Sequence, residues 1–164
     1  MFFTMSNIYF YDYPLCRLGI AEEDGAICRV FFAPLACGNG NKDGAGFEIG
    51  ETPLIKKAAA QITEYFDGKR KHFNLPLAPA GTDFQIAVWK ALQNIPYGET
   101  SSYGEIAAMI GNPKASRAVG MANNRNPIVI IIPCHRVIGS NGSLTGFGGG
   151  LELKRQLLEL EQGN

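Results

Sequence analysis

Several features that define common classes of protein are absent from this sequence. No hydrophobic run is long enough to cross a membrane, and the first residues lack the basic region and cleavage site of a secretory signal. The four cysteines include no C-x-x-C pair and form no ligand cluster with the two histidines. We therefore expect a cytoplasmic protein without a disulfide framework, and we assign no metal site. Whether Cys16, Cys28 and His72 bind a metal is left open by the sequence.

Acidic residues are missing from one long segment of a chain that is neutral as a whole. The sequence has 15 Lys and Arg residues against 15 Asp and Glu residues, yet no acid lies between Glu105 and Glu152. This distribution is either a chance result of a Gly-, Ala- and Ile-rich composition or the mark of a surface that faces phosphate groups. The basic residues inside the segment are Lys114, Arg117, Arg125 and Arg136.

Three short runs near the start of the chain are apolar or alternate between apolar and polar residues. Such runs favour β-strands, and EEDG between the last two is typical of a turn. The Gly- and Asn-rich run at 36–46 predicts a mobile loop. The three runs span residues 6–13, 16–24 and 25–33.

A helix and a linker complete this first part. Thr52 followed by Pro53 predicts a helix start, because proline is favoured at the first helical position. The run HFNLPLAPAG is expected to be an extended linker. We therefore divide the chain into a domain of residues 1–78 and a second domain of residues 79–164.

The second domain carries clear signals for helix starts. Thr82 with Gln85, and Ser102 with Glu105, each match the capping-box pattern, in which two side chains satisfy the free N–H groups of a helix end. Later predicted elements are a strand at 128–132, a hairpin at 138–146 and a closing helix from Leu151.

A third predicted helix, ASRAVGMAN, has mostly small side chains, and Arg117 is its only long polar one. The tight turn GNPK separates it from the second helix, so the pair is predicted to form a helix-turn-helix. Small residues allow close approach, either to another helix or to a narrow DNA groove. A helix of this kind would read little base sequence.

Cys134 and His135 stand side by side at the end of the predicted strand. Pro133 cannot continue a strand's hydrogen bonding, so we expect the backbone to turn there and to bring the sulfur to an exposed end. His135 and Arg136 would then lie close enough to favour a thiolate. The alternative is that Cys134 is a buried, inert hydrophobic residue.

The run IPCHRVIG resembles the active-site signature of the O6-alkylguanine-DNA alkyltransferases, also called methylated-DNA–protein-cysteine methyltransferases. The likeness extends over about half of the chain, upstream through FQIAVWKALQNIPYGETSSYGEIAAMIGNPKASRAVGMANNRNPI and downstream through GSLTGFGGGLELKRQLLELE. It implies an α/β N-terminal domain that is ribonuclease H-like, with a small antiparallel sheet plus helices. It also implies a mostly α C-terminal domain with the helix-turn-helix and an active-site strand and turn.

The resemblance further implies a reaction and a partner. Cys134 would take an alkyl group directly from O6 of guanine in double-stranded DNA, and O4-alkylthymine is left open as a second substrate. The thioether product is not reversed, so each molecule acts once and needs no cofactor. A monomer without membrane contact is expected, in the cytoplasm, the nucleoid or the nucleus.

Specific residues receive roles from this resemblance. His135 would take the thiol proton through a water, Glu161 would orient His135, and Tyr103 would donate to the flipped guanine. Arg117 would fill the gap that the extruded nucleotide leaves. Further DNA contacts are assigned to Lys114, Ala118, Ala122 and Arg125, and a base pocket to Asn126, Val137, Phe147, Gly148 and Gly149. Within this set, Asn126 matches the asparagine that ties the backbone near the active cysteine. Phe147 stands where some members of the family have a tyrosine.

Two other functions are compatible with parts of the sequence. A cysteine hydrolase of acyl substrates could use Cys134, His135 and Glu161 as nucleophile, base and orienting group. A DNA-damage-binding protein without catalysis could use the helix-turn-helix alone. Neither explains the spacing of Tyr103 and Arg117 relative to Cys134.

Overall fold

A computed structural model describes residues 6–34 and 46–163 of the chain. The chain divides into two compact units, Met1–Pro79 and Ala80–Asn164. The predicted mobile loop at 36–46 lies, except for its last residue, outside the described residues. Among the described residues, no helix has both the length and the apolar character needed to cross a membrane.

The first unit contains a four-stranded sheet made of β1 (Ser6–Asp12), β2 (Arg17–Glu23), β3 (Ala26–Ala33) and β4 (Glu48–Ile49), in the order β3-β2-β1-β4. The three predicted strands form its antiparallel part, and the turn between β2 and β3 places Asp24 and Gly25 in the left-handed region, at φ 51° and 82°. The fourth strand pairs in parallel with β1, so the sheet is mixed and the prediction of an antiparallel sheet is wrong in this respect.

Helix α1 (Pro53–Phe66) begins where the sequence predicts. The Thr52 hydroxyl accepts a hydrogen bond from the N–H of Ile55, which satisfies one of the free donors of the first turn. The apolar face of the helix, with Ile55 and Ile62 fully buried, packs mainly against β2.

The second unit is mostly helical, with a two-stranded parallel pair. Thr82 and Gln85 form the complete predicted capping box. Ser102 caps its helix, but the Glu105 carboxylate accepts from the Ser101 hydroxyl instead of closing the second box. The elements are α2 (Asp83–Leu92), β5 (Ser101–Ser102), α3 (Tyr103–Met109), α4 (Ser116–Asn124), β6 (Val137–Ile138) and α5 (Leu151–Glu161), with a 3₁₀ turn at Cys134–Arg136.

Two predicted β elements of this unit are wrong. No strand spans residues 128–132: residues 129–131 form a turn with Ile130 in the left-handed region at φ 71°, and the Asn126 side chain accepts a hydrogen bond from the N–H of Ile128. The predicted hairpin is replaced by the parallel pairing of β6 with β5 and by a turn that the N–H of Gly139 closes onto the carbonyl of Ser143. The apolar residues at 128–132 have the composition of a strand, but they are apolar because the turn that they form is buried.

Candidate active site

Cys134 lies at the first position of the 3₁₀ turn and has only 3% of its surface exposed. The prediction that its sulfur reaches an exposed end is therefore wrong, because the turn directs the residue inward. Burial raises the pKa of the Cys134 thiol, and the Asn126 side chain and the positive charge of Lys154 oppose that shift. A buried thiol with a raised pKa is protonated at neutral pH, so a nucleophilic role requires a nearby base.

His135 and Glu161 form a buried pair beside this cysteine. Nε2 of His135 lies 2.6 Å from Oε2 of Glu161, and both side chains are closed to solvent. Burial lowers the pKa of His135 although Glu161 opposes the shift, so the imidazole is neutral near pH 7. A neutral imidazole held through one nitrogen by a carboxylate is suited to accept a proton at the other nitrogen.

Arg136 binds the same carboxylate and does not point at the thiol. Its Nε lies 2.8 Å from Oε1 of Glu161 and its Nη2 lies 3.1 Å from Oε2, while Nη1 donates to the carbonyl of Ile95 at 2.7 Å. Burial favours the neutral carboxyl, but the hydrogen bonds and charges of His135 and Arg136 outweigh it and lower the pKa of Glu161 to about 2. Glu161 is therefore an anion that contacts the imidazole of His135 at Nε2.

Lys154 of α5 is a buried residue of this site that sequence reasoning missed. Its Nζ donates to the carbonyls of Val137 and Thr145 at 2.5 and 2.8 Å, and burial lowers its pKa to about 8. The signal was present, because Lys154, Leu158 and Glu161 recur at helical spacing on the buried side of α5. Lys154 fixes the segment that follows the cysteine turn.

Two asparagines hold the backbone around Cys134. Asn126 donates to the carbonyl of Ile132 at 2.7 Å and accepts from the N–H of Ile128 at 3.0 Å. Asn123 donates to the carbonyl of Cys134 itself at 3.3 Å. Asn126 therefore acts on the turn that leads into Cys134.

Tyr103 opens α3 and reaches across to the segment after the cysteine turn. Its hydroxyl donates to the carbonyl of Thr145 at 3.1 Å and accepts from the Thr145 hydroxyl at 3.1 Å. Gly120 of α4 lies against the same ring, since a Cβ built there would meet it at 3.7 Å.

The outer face of α4 and the turn before it carry most of the predicted DNA contacts. Arg117, Ala118, Lys114 and Arg125 are all exposed. Ala122 is not: it is buried, and its carbonyl accepts a hydrogen bond from Nε1 of Trp89 at 2.9 Å. Its assignment as a DNA contact is therefore withdrawn.

The predicted base-pocket residues lie on either side of the segment that Lys154 holds. Val137 is buried and its carbonyl accepts from Lys154, whereas Phe147 and Gly149 are half-buried and Gly148 is exposed. A Cβ built at Gly148 would meet no atom within 4 Å, which leaves open space at this position. In the described ranges 6–34 and 46–163, no group of three or more His, Cys, Asp or Glu residues could hold a metal ion.

Comparison with known families assigns both parts of the chain. Residues 83–163 match the model of the 6-O-methylguanine DNA methyltransferase DNA-binding domain, and residues 8–79 match that of the ribonuclease-like domain of the same proteins. The chain therefore belongs to the 6-O-methylguanine DNA methyltransferase family, a class of two-domain proteins with a small N-terminal mixed sheet and a helical C-terminal domain.

Individual relatives agree with this assignment. The chain is 49% identical over 150 residues to the constitutive methylated-DNA–protein-cysteine methyltransferase of Bacillus subtilis, covering 91% of each chain. It is 64% identical over 108 residues to the enzyme of that name from Methanosarcina acetivorans, covering 66% of this chain and 69% of the relative. The crystal structure of Mycobacterium tuberculosis O6-methylguanine methyltransferase is similar with a TM-score of 0.87 and 44% identity, over 97% of this chain and 94% of that one. M. tuberculosis OGT in complex with DNA matches with a TM-score of 0.86 and 44% identity, over 96% of this chain and 93% of that one.

Proposed function

We propose that this chain repairs alkylated DNA by transferring the alkyl group from O6 of guanine directly to Sγ of Cys134, once per molecule. One observation carries this proposal: Cys134 lies in one short turn with His135, whose imidazole is bound by the ionised Glu161. Membership of a family of methylated-DNA–protein-cysteine methyltransferases supplies the substrate class.

The transfer follows from the chemistry of these groups. The Cys134 proton passes to His135 through a water, which leaves a thiolate and an imidazolium beside the Glu161 anion. The thiolate attacks the alkyl carbon, the C–S bond forms as the C–O6 bond breaks, and the electron pair leaves with guanine. Tyr103 gives the departing base its proton. A thioether has no activated leaving group, so the protein is not regenerated.

Alkylated duplex DNA is the proposed partner, bound through α3, α4 and the turn between them as a helix-turn-helix. The exposed face of α4 presents Arg117 and Ala118, which suits close approach to a groove and insertion of a planar cation. Cys134 is buried in the protein and a base stacked in the duplex cannot reach it, so the damaged nucleotide is flipped out, and Arg117 occupies its place. Lys114 and Arg125 are proposed to contact phosphates.

The open space next to Gly148 and the aromatic side chain of Phe147 form part of the proposed base pocket. Val137 and Gly149 complete its walls. We propose that the protein acts as a monomer, because one chain holds all of these groups.

Intact-mass spectrometry tests the reaction. The protein is mixed with a slight excess of duplex that carries one O6-methylguanine, and the product is digested and mapped. We expect the mass to rise by one methyl group on the peptide that contains Cys134, matched one-for-one by repaired guanine. Cys134→Ser should abolish the gain, and Cys28→Ser, which removes a half-buried thiol of the first unit, should not.

Other results would identify the other functions. An unchanged mass with tight, lesion-dependent binding would indicate a damage-binding protein. Repeated release of product from an activated ester, with Cys134 acylated only transiently, would indicate a hydrolase.

A further inference from the structure

The contact between Tyr103 and Thr145 fixes the direction of the tyrosine proton. The Tyr103 hydroxyl donates to the Thr145 carbonyl and accepts from the Thr145 hydroxyl, each at 3.1 Å. The two residues are 42 positions apart, so the pair of bonds is a tertiary contact. Because a hydroxyl has one proton, the tyrosine oxygen is left as the acceptor for the threonine.

The Thr145 carbonyl does not depend on the tyrosine for a partner. Nζ of Lys154 donates to the same oxygen at 2.8 Å, and Lys154 is fully buried. If the Tyr103 proton turns toward another acceptor, the carbonyl keeps its bond to the ammonium group. The Tyr103 proton can therefore turn away without leaving this carbonyl without a protein partner.

We propose that Thr145 is a positioning residue for Tyr103, and that its hydroxyl stabilises the phenolate which Tyr103 becomes when it protonates the departing guanine. This inference rests on the proposed function. In the transfer, the electron pair of the broken C–O6 bond stays on guanine, and guanine takes the Tyr103 proton. The Thr145 hydroxyl then donates to the phenolate oxygen, and the phenolate regains a proton from solvent as the imidazolium of His135 loses one.

The role depends on the hydroxyl and not on the shape of the side chain. A hydroxyl that accepts a hydrogen bond is a better donor, because the two bonds polarise one another. The bond is worth more to the phenolate than to the neutral phenol, since hydrogen bonds to charged groups are about twice as strong as neutral ones. Transfer is accelerated only by the amount by which the Thr145 hydrogen bond stabilises the phenolate more than the phenol.

The test compares Thr145→Val, which keeps the branched shape but removes the donor, with Thr145→Ser, which keeps the donor. Single-turnover transfer from O6-methylguanine duplex is measured with DNA at saturating concentration. We expect Thr145→Val to slow transfer about tenfold or more, and Thr145→Ser to remain within a few-fold of the unchanged protein.

Methylation of Cys134 by methyl iodide separates proton donation from loop structure, because iodide leaves without a proton. We expect Thr145→Val to react with methyl iodide at the same rate as the unchanged protein. In a Tyr103→Phe background, Thr145→Val should slow transfer no further.

Three results would overturn the inference: equal transfer by Thr145→Val and Thr145→Ser, equal slowing of methyl iodide and DNA reactions, or an undiminished effect in the Tyr103→Phe background. Failure of the proposed function would look different. The unchanged protein would then gain no methyl group from DNA on Cys134.

Discussion

Oε2 of Glu161 lies 2.6 Å from Nε2 of His135, and neither side chain has exposed surface. The same carboxylate accepts two hydrogen bonds from Arg136, which is a permanent cation. Arg136 therefore favours the ionised form of Glu161 in addition to His135. In the proposed transfer, this arrangement would let His135 gain charge as it deprotonates the thiol, without a change in its orientation.

Glu161→Gln should slow methyl transfer about a hundredfold, the lower end of what a positioned acid or base contributes. The amide is neutral, so it neither stabilises the imidazolium nor balances Arg136. We also expect a loss of about 3 kcal/mol or more in the free energy of unfolding, since a buried cation is left without its counter-charge. Single-turnover rates, taken at a temperature where circular dichroism shows the variant to be folded, provide the measurement.

The matched control is Glu159→Gln, two residues earlier in α5. The side chain of Glu159 is 44% exposed and pairs with Arg155 on the helix surface. The Glu159→Gln substitution should leave the methyl-transfer rate and the free energy of unfolding nearly unchanged. Equal rates for the two variants would remove Glu161 from the mechanism.

Stability at acid pH should depend on the same carboxylate. The pKa of Glu161 is lowered in the folded protein from 4.5 to about 2, so above pH 4.5 folding gains the full benefit of the ionised form. As the pH falls from 4.5 through 2, the unfolded chain binds a proton that the folded chain does not, and stability declines. The shift corresponds to about 3 kcal/mol.

Urea unfolding between pH 5 and pH 2 measures this effect. The loss should be larger in the unchanged protein than in Glu161→Gln, which has no carboxyl at the position. Parallel curves for the two proteins would mean that Glu161 is not a source of the acid sensitivity.

Local signals in the sequence were sufficient for the parts of the fold that depend on backbone capping and alternation. Thr52 and the Thr82–Gln85 pair start α1 and α2 as predicted, because a capping side chain bonds to its own helix. The strand prediction for residues 128–132 was wrong. Their β-branched composition favours a strand, but the side chain of Asn126, which lies outside the segment, bonds to its backbone and stabilises a turn.

Contacts in the site could be predicted between residues that are adjacent in the sequence, but not between residues that only the tertiary structure brings together. Cys134 and His135 are neighbours, so their shared turn could be expected from the sequence. The partner of Arg136 is 25 residues away in α5, and nothing local indicates that the arginine turns to Glu161 instead of the thiol. Glu161 itself was assigned only through the family resemblance. Lys154 shows the same limit, since its acceptors are two backbone carbonyls.

Arg117→Ala should impair transfer from duplex DNA far more than transfer from the free modified base. Arg117 is exposed on α4, whereas the His135–Glu161 pair of the proposed mechanism is buried, so we expect its loss to affect mainly the cost of extruding the nucleotide. That cost is a few kcal/mol, so we expect the duplex reaction to slow at least about tenfold. Parallel single-turnover assays on O6-methylguanine duplex and on free O6-methylguanine give the two rates.

Arg155→Ala is the control for Arg117→Ala, because it removes an exposed arginine from α5, where Glu152 and Glu159 flank it. It should alter neither rate by more than a small factor. Equal losses on duplex and free base in Arg117→Ala would contradict the proposed insertion of this arginine.

Asn126→Ala should both destabilise the second unit and slow methyl transfer. The side chain is 9% exposed and satisfies one backbone carbonyl and one backbone N–H, those of Ile132 and Ile128. Its removal leaves the Ile128 N–H without this partner, at an expected cost of about 1–3 kcal/mol if that group stays buried, whereas the Ile132 carbonyl keeps the hydrogen bond that it accepts from the N–H of Cys134 at 2.8 Å. Because Ile132 is separated from Cys134 by one residue, the loss also frees the turn that places the sulfur.

Chemical denaturation and single-turnover transfer are compared with Asn94→Ala, which removes an exposed asparagine of the same unit. A variant that loses stability but transfers at the rate of Asn94→Ala would show that the turn at 126–132 does not position Cys134.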